Sequence, residues 1–399
     1  MGKWEMVRLG DVGTFQTGGT PSRAREDYFS GIHPWVSTPA LGATYIDASN
    51  ANALLTDEAI HNSATKIIPA YSLLIGIRVG VGKASINTVE MCTNQDIVSI
   101  SNIEQSKISI EYLHKFLATQ QNYFDSQKRG ATIQGINSET LKNILIPLPP
   151  LATQQKIADI LDRANALIEK RKAQIEKLDL LVKSQFVEMF GDPVTNPRGW
   201  DVGLLAQYCN VKGGKRVPKG TPFAKEKTNH PYLRVTDMKN ATIIDDEIKY
   251  ITDSVYEQLK RYTISCEDVY LTNVGVNLGM AGIIPQKYDK ANLTENAVKL
   301  VFDKNVLNNN YLAFYLNTTY AQRYILERKM TVGVPKLAIF RIEELPIVVP
   351  PLPLQTQFAA FVERVEAQKA QLKKSLALLE LNYKSLMQKC FNGEITFNL

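Results

Sequence analysis

The densest run of chemically useful side chains is Lys212-Gly213-Gly214-Lys215-Arg216-Val217-Pro218-Lys219, followed by Lys225, Lys227 and Arg234. Cations set beside glycines, where backbone can approach closely, suit contact with phosphate groups. The plainer alternative is a solvated surface loop. A second glycine-rich stretch, Gly76-Ile77-Arg78-Val79-Gly80-Val81-Gly82-Lys83-Ala84, has the look of a nucleotide loop but fails its tests. A Walker loop needs Gly where Ile77 stands and Ser or Thr where Ala84 stands. The dinucleotide pattern starting at Gly80 ends on Ser85 where it needs Gly. No cofactor is expected.

Other chemistries are tested in the same way. Adenine amino-methylation usually relies on Asn/Asp-Pro-Pro-aromatic. Here Asp192-Pro193 runs into Val194-Thr195, and neither Pro149-Pro150 nor Pro350-Pro351 follows Asn or Asp. A nuclease-type Pro-Asp with Glu-x-Lys is not evident. Cys92, Cys209, Cys266 and Cys390 are far apart, without Cys-x-x-Cys, and the four histidines form no His-x-x-x-His pair. Neither a metal site nor a disulfide framework is expected. His33 and His230, each before a proline, read as turn-shaping residues. The sequence predicts no catalytic residues.

The elements that position these residues come next. A chain of 399 residues, 44% hydrophobic and 22% charged, has the composition of a globular protein with two domains. No run of 18 apolar residues occurs, so no spanning helix and no membrane partner is expected. The opening Met1-Gly2-Lys3-Trp4-Glu5-Met6 lacks an apolar signal core and a myristoylation serine, and a cytoplasmic location is expected. The net charge of +6 is unevenly placed: residues 200–399 carry 26 basic and 20 acidic side chains, residues 1–199 carry 20 of each.

The strongest signal is an internal repeat. Each half opens on Trp-x-x-x-x-Leu (Trp4 and Leu9, Trp200 and Leu205). Gly18-Gly19 is matched to Gly213-Gly214, and His33-Pro34-Trp35 to His230-Pro231-Tyr232. Leu74, Gly82 and Ala84 align with Leu271, Gly279 and Ala281, and Tyr112-Leu113 with Tyr311-Leu312. Both halves close on Pro-Pro-Leu with a glutamine behind it (Pro149 to Gln154, Pro350 to Gln355). From there the match runs on without a gap through Phe190 and Phe391.

These closing segments have a heptad pattern. Ile157, Leu161, Ala164, Ile168, Arg171, Ile175, Leu178, Val182, Gln185 and Met189 step by four and three. So do Phe358, Val362, Val365, Lys369, Leu372, Leu376, Leu379, Tyr383, Leu386 and Cys390. A seam of that length predicts two long helices paired as a coiled coil. Each follows its own globular unit, so a two-fold-like arrangement makes the pair antiparallel. The alternative is that each helix packs on its own domain. The polar seam residues Arg171, Gln185 and Lys369 either fix register or snorkel. The expected boundaries are a first domain at 1–150, a central helix at 151–191, a second domain at 192–352 and a C-terminal helix at 353–399. The globular parts mix β-like runs (73–75, 97–100, 269–271, 345–349) with helical periodicity near 110–121 and 310–327, which makes the class α+β.

In this order of elements the chain resembles the specificity subunits of type I restriction-modification systems. The Trp-x-x-x-x-Leu opening, the strand entering a glycine-rich loop and the Pro-Pro-Leu-x-x-Gln helix entry are each present twice. Family members often carry Glu before that Gln, where this chain has Thr153 and Leu354. The resemblance implies two target-recognition domains, each reading one half of a split site on double-stranded DNA. The paired helices would set the spacing and bind two methyltransferase subunits, and translocase-nuclease subunits would complete the enzyme.

On that reading the DNA contacts are expected from Arg23, Arg25, Arg78, Lys83, Lys128 and Arg129 in the first domain. In the second they are Lys212, Lys215, Arg216, Lys219, Arg234, Arg328, Lys329 and Lys336, with Asn273 and Asn277 pairing with adenine edges. Helix pairing is expected from Ile157, Leu161, Ile168, Ile175, Leu178 and Val182 against Val362, Val365, Leu372, Leu376, Leu379 and Leu386. Two rival readings are a protein-assembly scaffold that no longer reads DNA and a self-sufficient modification enzyme. A DNA footprint and methyl-donor binding, respectively, separate them from the first.

Overall fold

The computed structural model describes residues 4–130, 134–331 and 333–395. The chain forms two compact units, Met1–Ala173 with Lys374–Leu399, and Gln174–Lys373. Each therefore contains one globular domain, the first half of one long helix and the second half of the other.

In the first unit a five-stranded sheet has the order Thr14–Thr17, Ile97–Ser101, Leu73–Gly76, Ala84–Asn87, Tyr45–Ile46; only the last pairing is parallel. Leu73, Leu74, Ile75, Ile97, Val98 and Ile100 are all buried, so these apolar runs are covered on both faces instead of alternating. Beside it, His33–Val36 pairs antiparallel with Ala53–Leu55 and parallel with Cys92–Thr93.

The second unit repeats the plan. Cys209–Gly213, Ala297–Phe302, Val269–Thr272 and Ala281–Ile283 form one antiparallel sheet. Pro231–Leu233 pairs antiparallel with Lys249–Tyr250 and parallel with Ala291–Leu293 in another. In both units a two-stranded ribbon closes the domain just before the long helix: Glu5–Arg8 with Leu145–Leu148, and Asp201–Leu204 with Pro346–Val349. The mixture is α+β, as the sequence predicts.

The helical stretch expected near 110–121 is the helix Ile110–Ala118, with a second, Gln121–Gln127, behind it; that expected near 310–327 is two helices, Asn309–Leu316 and Thr319–Arg328. The break has one cause in the second unit that is visible in side chains. The Thr318 hydroxyl donates back to the Tyr315 carbonyl at 2.7 Å, ending one helix, and accepts from Ala321 N–H at the start of the next. Thr119 donates likewise to the Phe116 carbonyl at 2.7 Å.

The long helices are Leu151–Phe190 and Leu352–Phe391, 40 residues each and therefore about 60 Å long. Gly191 and Gly393, at φ +81° and +72°, end them in the left-handed conformation that glycine adopts without strain. Within each unit the two helix halves run antiparallel. In the first, Ile157 and Leu161 share a core with Cys390 and Phe391, while Lys172 Nζ lies 4.0 Å from Glu380. In the second, Val182, Phe186 and Phe190 pack with Phe358 and Val365, flanked by Leu178 and Val362. Ile168 is buried, and Ile175, Leu372, Leu376, Leu379 and Leu386 are half-buried.

Two expectations are amended. The ends of the seam are shared with the domain cores, since Ile157, Leu161 and Phe391 join Tyr112 and Phe116 in one cluster. The alternative of packing on the helix's own domain is thus partly right for Ile157, Leu161 and Phe358, while Phe186, Phe190 and Phe391, outside the heptad positions, pack on the domain of the other copy. Of the polar seam residues, Lys369 is only 8% exposed. It donates to Asp179 on the other helix (2.5 Å) and to Glu366 on its own (2.8 Å), an inter-helix partner of the kind that fixes register.

Candidate nucleic-acid interface

The glycine after the first sheet strand has to be glycine. A Cβ on Gly18 would lie 2.2 Å from Thr93 Oγ1, and one on Gly214 2.0 Å from the Thr294 carbonyl. The two backbones meet there because Gly18 N–H bonds the Ile97 carbonyl and Gly19 N–H the Thr93 carbonyl, at 3.1 and 2.8 Å. In the second unit Gly214 bonds Ala297 and Lys215 bonds Leu293, at 3.0 and 2.9 Å. The repeat is therefore offset by one from its sequence alignment: Gly18 corresponds to Gly214, and Gly19 to Lys215.

The His-Pro-aromatic motif supports the same segment. Trp35 Nε1 donates to the Gly19 carbonyl at 3.1 Å, and the Tyr232 hydroxyl to the Lys215 carbonyl at 2.9 Å. His33 Nε2 lies 2.8 Å from Asp57, and His230 Nε2 2.9 Å from Asp253. Each histidine thus ties its strand to the helix that follows, where a turn-shaping part is expected of it.

With these supports in place, the next residue stands at the lip of a concavity. The Thr20 hydroxyl donates to Gln95 Oε1, and Arg216 Nε donates to Glu295 Oε1. The first concavity, of about 710 Å³, is walled by Thr20, Arg23, Trp35, Ser37, Asn52 and Gln95, among others. The second, of about 400 Å³, is walled by Arg216, Phe223, Tyr232, Arg234, Thr294 and Glu295, among others. The two correspond at Thr20 and Arg216, Trp35 and Tyr232, Ser37 and Arg234, and Gln95 and Glu295, with different side chains at each.

The glycine-rich loops lie alongside. Each turns a β-hairpin, Gly80 and Gly82 at φ +68° and +87°, Gly275 and Gly279 at +105° and +94°. A strand follows these glycines, where a phosphate loop needs a helix. Ile77 N–H bonds the Asp96 carbonyl, and Asn273 N–H the Asn296 carbonyl, joining hairpin to concavity. A further loop crosses the hairpin in each unit: Arg129 pairs with Gly135 and Ile136 bonds Ile77, while Met330 pairs with Lys336 and Leu337 bonds Asn273. Hairpin is thus bonded to concavity in each unit, and the described ends of the crossing loop are bonded to the hairpin.

The predicted cations fall into distinct settings. Lys83, Arg129, Lys212, Lys215, Lys219 and Lys336 are exposed, and Lys329 is half-buried. Arg23 lines the first concavity, and Arg78 sits beside it, 3.4 Å from Asp96. Arg25 is spent on neighbours within the domain: it bonds Asp27 at 2.6 Å and Glu58 of the helix Asp57–His61 at 3.2 Å, and covers the Tyr28 ring at 4.4 Å. Lys128 is paired with Asp125 at 2.5 Å, and Arg328 lies over Tyr324 at 3.8 Å.

Arg234 is held by Asp237 at 2.8 Å and by the Glu247 carbonyl at 2.9 Å. It therefore shapes the concavity wall and is not a free cation. Asn273 is a correction. It is 6% exposed and its amide donates to the Leu337 carbonyl, so it braces the crossing loop and cannot reach a base edge. Asn277 is exposed at the hairpin tip.

The residues that sequence reading missed are uncharged or acidic: Thr20, Asn52, Gln95 and Glu295. Their only signal is their place beside the glycine pair, or in turns next to strands whose pairing is invisible before folding.

The sequence pattern of the type I restriction modification DNA specificity domain matches this chain twice, over residues 1–177 and 197–381. The chain belongs to that family. It is a specificity subunit with two target-recognition domains. A type I restriction enzyme MjaIX specificity subunit of Methanocaldococcus jannaschii is 25% identical over 412 residues, covering 98% of this chain and 93% of its own. The EcoR124I/EcoR124II specificity subunit of Escherichia coli is 31% identical over 173 residues, 42% of each chain.

Solved structures share the fold. The type I S subunit from M. genitalium aligns with a TM-score of 0.56 at 17% identity, over 100% of this chain and 97% of its own. A chain from a study of complex assembly and conformational transition in the type I R-M system aligns with 0.65 at 18%, over 98% of both. Among the described residues no helix is long and apolar enough to cross a membrane.

Proposed function

We propose that each domain of this specificity subunit reads one half of a split site on double-stranded DNA. The face used is that formed by its concavity, hairpin and crossing loop. The carrying observation is that the two faces have one backbone and different lips: Thr20 with Gln95 in the first, Arg216 with Glu295 in the second. A common frame with exchanged polar side chains is what two readers of different half-sites need.

The long helices hold two methyltransferase subunits and set the spacer, and translocase-nuclease subunits join that assembly. The chain itself is non-catalytic and works in the cytoplasm. In support, Leu180 and Leu381 sit at corresponding points of the two helices and are 60% and 63% exposed, which offers like apolar contacts to two like partners. The test is a map of methylated adenines across the source genome with the gene intact and deleted. Loss of a motif of two short half-sites around a fixed spacer supports the reading. An unchanged map, with the methyltransferase subunits expressed, removes it in favour of the scaffold.

A further inference from the structure

We propose that Arg216 reads a guanine in the half-site of the second domain, with Glu295 holding its guanidinium in the reading posture. This rests on the DNA-reading function proposed above. Arg216 is fixed at its root, because the Lys215 backbone is bonded on both sides, to Leu293 and to the Tyr232 hydroxyl. Its side chain is 75% exposed while that of Glu295 is 28% exposed, so the acid lies behind the base. Glu295 is tied in turn, its other oxygen accepting from the Thr294 hydroxyl at 3.0 Å.

Among the described residues the Glu295 contact engages only Nε of Arg216. The two terminal NH₂ groups are left as a free fork. Guanine presents O6 and N7 as adjacent acceptors in the major groove, the match for such a fork, and no other base offers that pair.

The same pairing argues against a phosphate contact. A carboxylate on the guanidinium offsets the charge that draws an arginine to the backbone, but leaves its directional donors intact. Lys215 and Lys219 have no such carboxylate among the described residues and keep their full charge. The corresponding pair in the first domain, Thr20 with Gln95, is uncharged. The guanine reading by this lip position therefore belongs to the second domain.

The experiment uses the full chain assembled with its methyltransferase subunits, given duplexes randomised across both half-sites and sorted by methylation. With Arg216→Gln, discrimination for guanine at one position of one half-site should fall roughly tenfold to a hundredfold, with every other position unchanged. Glu295→Gln should cause a smaller loss at that same position. Arg216→Lys keeps the charge but gives up the fixed fork for a single ammonium that still reaches O6 and N7; it should lose part of the guanine preference at that same position, which covers the case in which the glutamine variant fails to assemble. Equal loss across all sequences would make Arg216 a phosphate contact and overturn the inference, as would a motif unchanged at every position. If the unaltered complex selects no split motif, it is the DNA-reading function that fails, and the inference falls with it.

Discussion

Phe391 lies against Tyr112 with ring centroids 5.2 Å apart, so the end of the second long helix completes the core of the first domain. Phe190 lies against Tyr311 in the corresponding way, at 4.9 Å. Each domain core is therefore closed by an aromatic residue that the sequence places on the helix of the other copy.

Truncating that residue opens a cavity where nothing can collapse to fill it, since Phe116 and Ile157 are held by their own helices. Phe391→Ala should destabilise the first unit by about 3–5 kcal/mol, the usual cost for a buried phenylalanine. Hydrogen exchange checks it: amides of Leu73–Gly76 should lose protection, and lose more than those of Val269–Thr272 in the second unit.

The glutamine of the Pro-Pro-Leu-x-x-Gln motif is a fully buried clamp. Gln154 accepts from Ser109 N–H at 2.8 Å and donates to the Lys107 and Pro149 carbonyls at 2.9 Å. Gln355 repeats this with Asn308, Val306 and Pro350 at 2.9, 2.9 and 2.7 Å. Each joins the first turn of a long helix to the cap of a domain helix. Gln154→Leu strands buried partners at about 1–3 kcal/mol for each unsatisfied group, so a clear drop in the urea midpoint is expected. A midpoint unmoved by either Gln154→Leu or Gln355→Leu would deny the clamp.

These motifs also mark how far the sequence could be read. The heptads, the Pro-Pro stops and the repeat are local patterns, so both helices and the α+β class followed from them. The aromatic bridge was not legible, because Phe186 and Phe190 lie off the heptad positions and Tyr112 declares its partner only once folded. Charge pointed to Arg216 but equally to Arg25 and Arg234, whose guanidiniums are consumed by Asp27 and Asp237. Thr20 and Gln95 carry no charge and lie on segments that only strand pairing brings together. Asn273 looked like a loop residue and is a buried brace.

His114 gives the stability a pH dependence of known sign. Burial foremost, and then the neighbouring Lys115, push its pKa down from 6.5 to about 4, and its Nδ1 is enclosed without a partner among the described residues. As pH falls below 6.5 the unfolded chain takes up a proton that the folded chain refuses until about 4. Stability is therefore lost across that window as the solution is acidified. The loss assignable to this ring is about 2–3 kcal/mol. His114→Gln, which cannot titrate, should show a flatter profile of unfolding midpoint between pH 6.5 and 4 than the unaltered chain. Parallel profiles would remove the residue from the account.

Leu180 and Leu381 are exposed at matching points of the two long helices. Leu180→Asp with Leu381→Asp should leave the melting temperature within a degree or two, since neither side chain is packed. The same double variant should abolish co-purification of methyltransferase subunits. Either single variant should reduce the number of bound copies from two to one, measured by light scattering. Full binding by the double variant would place the docking surface elsewhere.

Lys215 and Lys219 differ from Arg216 in being cations without a carboxylate partner among the described residues, and this separates affinity from specificity in one loop. A lysine on phosphate releases counterions when it binds, so each contact contributes about −0.9 to the slope of log K against log salt. Lys215→Ala with Lys219→Ala should therefore flatten that slope by about one to two units and weaken binding alike for matched and mismatched half-sites. Titrations of the assembled complex on duplex DNA at several salt concentrations check both parts. A steepness that stays the same, or a loss confined to one base position, would mean that these lysines do not face the backbone.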